Sequence, residues 1–153
     1  MKNGRKIYIL ISWVLVLICM GIIFSLSAQV AQESQELSDS LIHRLFEFLG
    51  IELNSDFIRT TAHMLEFMGL SLLIFNAVYS TWEHKLTPVI VFTGTAFYAI
   101  TDEVHQLFVP GRAFQLSDIL VDSTGALIGV IASFVILKII LFIKKRGNKN
   151  GNT

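Results

Sequence analysis

Four long apolar runs divided by polar stretches organise this chain: Ile7 to Leu26, Phe57 to Tyr79, Leu86 to Tyr98 with its continuation, and Ile119 to Ile143. A bilayer hydrocarbon core about 30 Å thick takes roughly 20 apolar residues in helical form. The pattern therefore predicts an all-α fold, an integral membrane bundle of four transmembrane helices. The one extended polar stretch is Ala28 to Asp56. Within it Leu41, Ile42, Leu45, Phe46 and Leu49 recur at helical spacing behind Ser38 or Asp39 as N-cap. That spacing predicts a short amphipathic helix over 39–49, covering the bundle or lying in the interface.

Punctuation between the runs sets their directions. Ser80 to Lys85 is a short loop, so the second and third helices should be antiparallel neighbours, with Tyr79 and Trp82 suited to the membrane boundary. Pro88 falls in the first turn of the third helix, where its missing N–H costs nothing. Pro110-Gly111 marks a tight turn, after which a helix restarts near Ser117. The fourth run carries Gly125-x-x-x-Gly129, a spacing of small residues that lets helices approach closely in lipid. Packing within this bundle is the favoured use of it over dimerisation.

Composition agrees with the pattern. Of 153 residues 53% are hydrophobic and only 16% charged, and the mean hydropathy is +0.63. A soluble domain of this size needs more polar surface to cover its core. The expected organisation is one transmembrane domain over 1–146 and a polar cytoplasmic tail over 147–153. Cys19, the single cysteine, sits inside the first apolar run, so neither a disulfide framework nor a thiolate metal site can form within the chain.

Charge distribution supplies an orientation. Lys2, Arg5 and Lys6 precede the first run, Lys85 lies between the second and third, and Lys144, Lys145, Arg146 and Lys149 follow the fourth. The other two connections hold Arg44, Arg59 and Arg112 as their only cations, together with nearly all the acids. An excess of Lys and Arg marks the cytoplasmic side, so both termini are expected there. A cleaved signal peptide is the competing reading of the first run. That run is longer than a usual signal core, and cleavage would leave the remaining helices in the same orientation.

The polar residues inside the runs carry the functional signal. Arg59, His63 and Glu66 fall on one stripe of the second helix, reaching roughly 10 Å below its outer end. Asp102, His105 and Gln106 share a face of the third helix with Glu103 beside them, and Asp118 and Asp122 are one turn apart on the fourth. Arg112 lies in the connecting turn. An ionised group at the bilayer centre costs about 2.5–3.5 kcal/mol on insertion scales, so these groups should turn inward and meet, or line a water-filled cup. Three chemistries would use such a cup. His63, Glu66, His105 and a carboxylate could ligate a divalent metal. His63 or His105 could serve as general base while Arg59 or Arg112 clamps a phosphate or carboxylate. Ion pairs could simply pin three helix ends, without turnover.

At these residues the chain resembles the VanZ-like family of membrane proteins. The matching pieces are Ser27-Ala28-Gln29, Arg59-x-x-x-His63-x-x-Glu66, Asp102-Glu103-x-His105-Gln106, Pro110-Gly111-Arg112 and Asp118-x-x-x-Asp122-x-x-Gly125-x-x-x-Gly129, in order across about residues 7 to 140. Asp122 departs from the Asn common at that position, adding a carboxylate. The resemblance implies a multi-pass protein of the bacterial cytoplasmic membrane, in the context of the cell envelope and of resistance to the glycopeptide teicoplanin. It brings no settled reaction, so an enzyme and a binding protein both stay open.

The expected partners are the lipid bilayer and a lipid headgroup or lipoglycopeptide at the outer leaflet, with no nucleic acid. Arg59 and Arg112 would hold an anionic group, and His63, Glu66, Asp102, Glu103 and His105 would be the reactive or orienting set. The alternatives are a transporter component, or an accessory subunit whose polar cluster only pins helix ends. Cofactor, metal and oligomeric state are not specified by these residues.

Overall fold

The computed structural model describes residues 2–28 and 55–150. The amphipathic helix expected over 39–49, and Arg44 within it, lie outside the described residues. Among those described there are four helices and no strand: α1 (Lys2–Ser27), α2 (Ser55–Trp82), α3 (Thr87–Gln106) and α4 (Leu116–Asn150). Three of them are long and apolar enough to cross a membrane, over Asn3–Ser27, Arg59–Trp82 and Leu116–Arg146. α3 falls short in hydropathy because its end holds Asp102, Glu103, His105 and Gln106 and the helix also carries four threonines. The outward faces of α1 and α4 carry exposed Leu, Ile, Val and Phe along most of their length. Water would not tolerate so much apolar surface, whereas lipid does.

Polar contacts fix the helix directions. At the basic end, Arg5 donates to Glu83 at 3.2 Å and to the Ser80 carbonyl at 3.3 Å, Tyr8 donates to Asn76 at 2.7 Å, and the Trp13 indole donates to Thr81 at 3.2 Å. The start of α1 therefore lies against the end of α2, and the two are antiparallel. At the opposite end Ser27, on the last turn of α1, meets Asp102 near the end of α3. Between them Val16, Ile23, Phe67, Leu70, Ala77 and Ala99 form one apolar core, and Phe75, Val78, Val91 and Val130 a second.

α2 and α4 run parallel and pack most intimately. A methyl group on Gly125 would collide with the Met64 carbonyl oxygen, and one on Gly129 with Ser71 Oγ and the Met68 carbonyl. The small-residue spacing thus serves packing inside this bundle, as expected. The buried stripe of α3 runs Thr87, Val91, Thr95, Ala99 and then Asp102, Glu103 and Gln106. The face that packs into the core thereby delivers its acids to one end of the bundle.

Two connections behave as their residues dictate. Pro88 occupies the first turn of α3. After α3, the Arg112 N–H donates to the Val109 carbonyl at 3.1 Å across Pro110-Gly111, with Gly111 at φ 80°. Proline followed by a residue of positive φ makes a type II turn. It sends the chain back into α4 with the polar ends of both helices side by side.

Candidate polar site at one end of the bundle

The site is built from all four helices, one more than the sequence pattern indicated. Ser27 Oγ donates to Asp102 Oδ2 at 2.9 Å, and Gln106 Nε2 donates to Ser27 Oγ at 2.9 Å and to Asp102 Oδ2 at 3.4 Å. All three side chains are buried. One turn earlier on α1, the Phe24 ring stacks on His105 with centroids 4.0 Å apart. Ser27 is absent from the residues singled out by charge and spacing. Its signal was its place in Ser27-Ala28-Gln29, at the exit of an apolar run.

Glu103 turns away from this triangle. Its Oε1 accepts the Gln115 backbone N–H at 2.6 Å, tying α3 to the chain entering α4, and the side chain is buried. Arg112 lies in the turn between, within electrostatic reach of Arg59, Asp118, Asp102 and Glu103. Burial, then the like charge of Arg59, holds the Arg112 guanidinium below its ordinary range despite these acids.

α2 and α4 enclose a small recess lined by Arg59, Thr60, His63, Asp118, Val121 and Asp122, with a volume of about 10 Å³. Asp118 stands at its rim, half-buried and accepting from Ser117 Oγ at 3.1 Å. Asp122 is 3% exposed. Its Oδ1 is 4.0 Å from His63 Nδ1, beyond hydrogen-bond length. Glu66, nearly a turn deeper on α2, lies in the field of Asp102. Asp122 in turn feels Asp102, Asp118, Glu103 and Glu66. The stripes predicted on the second, third and fourth helices thus converge.

Six buried side-chain atoms here have no hydrogen-bond partner: His63 Nδ1, Glu66 Oε2, Asp102 Oδ1, His105 Nδ1, Arg112 Nε and Asp122 Oδ1. All six belong to residues the sequence pattern picked out. Each buried group left this way costs on the order of 1–3 kcal/mol, so the cluster is not optimised for stability alone. Among the described residues no three His, Cys, Asp or Glu side chains come together as a metal shell, so His63, Glu66, His105 and a carboxylate do not form one. As ionised groups the acids only accept hydrogen bonds, while Arg112 only donates. The arrangement can hold a molecule offering mainly donors and some acceptors.

Apolar helices facing outward and a buried polar cluster at one end define a multi-pass helical membrane protein. The chain belongs to the VanZ/LLP1 family, whose family model matches residues 12–141. That span includes Ser27 and every residue of the cluster. No curated protein and no solved structure matches the chain.

Proposed function

We propose that the polar cluster binds or modifies an amphiphile of the cell envelope, a lipid headgroup or lipoglycopeptide, at the outer leaflet of a bacterial cytoplasmic membrane. In this reading α3 is a fourth span and both termini are cytoplasmic. Its 20 residues rise about 30 Å, the thickness of a hydrocarbon core. α3 also has to carry the chain from the basic end, where α2 finishes, to the polar end, where α4 starts. The Lys and Arg excess at the opposite end of the bundle supports an outward-facing cluster.

The observation that carries the proposal is the set of six unpartnered buried atoms, gathered at one end of the bundle. Groups whose only task was to pin helices would be expected to satisfy one another. The Ser27–Asp102–Gln106 triangle does favour a pinning role for that part of the cluster. Arg112, His63, Asp122 and Glu66 are then the groups that meet the ligand, Arg59 and Arg112 taking its anionic part. Within the family context, the function extends to glycopeptide resistance of the teicoplanin type.

The test is to purify the protein in mild detergent and identify retained amphiphiles by mass spectrometry. An amphiphile should co-purify with the wild type and fall about tenfold in His63→Ala and Glu66→Gln, with both variants still folded. Equal retention in all three, or loss of the folded protein in both variants, contradicts the proposal and favours pinning.

A further inference from the structure

The recess between α2 and α4 has an apolar neighbour. A groove of about 400 Å³ runs along the same seam, lined by Phe57, Thr61, Met64, Leu120 and Thr124. Thr60 and Val121 line both the groove and the recess. The groove's deepest residues, Met64 and Thr124, are level with the point where Gly125 brings α4 against the Met64 carbonyl. A polar chamber and an open apolar channel therefore meet at two side chains.

The chemistry of the chamber narrows what would fill it. Asp122 is nine-tenths and more buried, and its Oδ1 has no hydrogen-bond partner. Nor has His63 Nδ1, 4.0 Å away. A single donor seated between them would reach both, and a volume near 10 Å³ holds one group the size of a water. Three carboxyl oxygens, of Glu66, Asp102 and Asp122, are unpartnered against one guanidinium nitrogen, of Arg112, so the missing partner is chiefly a donor. Arg112 Nε still requires an acceptor. A primary ammonium offers three donors and no acceptor, and a phosphate offers acceptors that suit a guanidinium.

We propose that the α2–α4 seam is the binding site for a zwitterionic amphiphile of the aminophospholipid kind. The ammonium lies between Asp122 and His63, the phosphate faces Arg112, and one acyl chain lies in the groove past Thr60 and Val121. The ligand reaches the site sideways from the lipid. This rests on the reading of the cluster as an amphiphile site and specifies which amphiphile.

Native mass spectrometry of the delipidated full chain tests it. The probes are a diacyl phosphatidylethanolamine, its N-acetyl derivative, a phosphatidylglycerol with the same chains, and glycerophosphoethanolamine, which has no chains. The phosphatidylethanolamine should bind about tenfold tighter than the N-acetyl derivative and the phosphatidylglycerol, and the chainless compound should not be retained. Asp122→Asn, close in shape, should erase the preference for the free amine. Thr124→Trp, on the exposed side of the groove and outside the cluster, should weaken every diacyl probe about fivefold while leaving the order of preference intact. Equal affinity for the amine and its N-acetyl form, or indifference to either substitution, overturns the inference. Tight phosphatidylglycerol binding insensitive to Asp122→Asn would overturn it while leaving the broader reading standing. Binding of no probe above a His63→Ala, Glu66→Gln double variant would end both.

Discussion

Ser27 and Asp122 mark the two kinds of residue in the cluster. Ser27 is buried and fully engaged, bridging α1 to Asp102 and Gln106. Ser27→Ala removes the donor to a buried carboxylate and should cost about 1–3 kcal/mol, read as a lower melting temperature in detergent. Asp122 is as deeply buried but its Oδ1 has no hydrogen-bond partner, so that oxygen contributes little to holding the helices together. Asp122→Asn, close in shape, should therefore leave the melting temperature unchanged, to within about 0.5 kcal/mol of stability. A large drop would mean that Asp122 is structural. This difference was not legible in the sequence. Spacing placed Arg59, His63 and Glu66 on one stripe, and Asp118 and Asp122 on another, but which oxygen finds a donor depends on residues dozens of positions away. Ser27 was missed for the same reason: a neutral hydroxyl at a helix end shows nothing until its partner on α3 is known.

Between elements, single backbone positions decide the geometry. Gly125 permits α4 to touch the Met64 carbonyl, and the obstacle to a side chain is backbone that cannot rotate aside. Gly125→Ala should destabilise by about 1–3 kcal/mol through overpacking. Gly111 holds φ 80° in the turn that brings α3 and α4 together. Gly111→Ala should cost about 1 kcal/mol and loosen the Glu103–Gln115 contact, seen as faster amide exchange at Gln115. Glu83 closes α2 with φ 43°, a conformation that glycine adopts without penalty. Glu83→Gly should raise stability by about 0.5–1 kcal/mol, because the Arg5–Glu83 pair it removes is exposed and worth little. These features were readable beforehand, since Pro88, Pro110-Gly111 and the Gly125–Gly129 spacing act through local stereochemistry. The shortfall of α3 in hydropathy was less obvious. The residues that make it interesting, Asp102 to Gln106, are those that spoil its apolar run.

Across the whole molecule, the alternation of apolar runs and the asymmetry of Lys and Arg anticipated a helical membrane bundle with its acids at one end. They could do so because lipid imposes length and charge rules on a helix irrespective of its neighbours. Convergence of the stripes followed from the cost of exposing them, and the fields linking Asp122 to Asp102, Glu103 and Glu66 match it. The account stands or falls on that end facing outward. In a Cys19→Ala background, single cysteines at Ala113, beside the cluster, and at Lys85, in the opposite loop, can be probed with a membrane-impermeant maleimide on intact expressing cells. Ala113→Cys should label before permeabilisation and Lys85→Cys only afterwards; the reverse pattern would contradict the account.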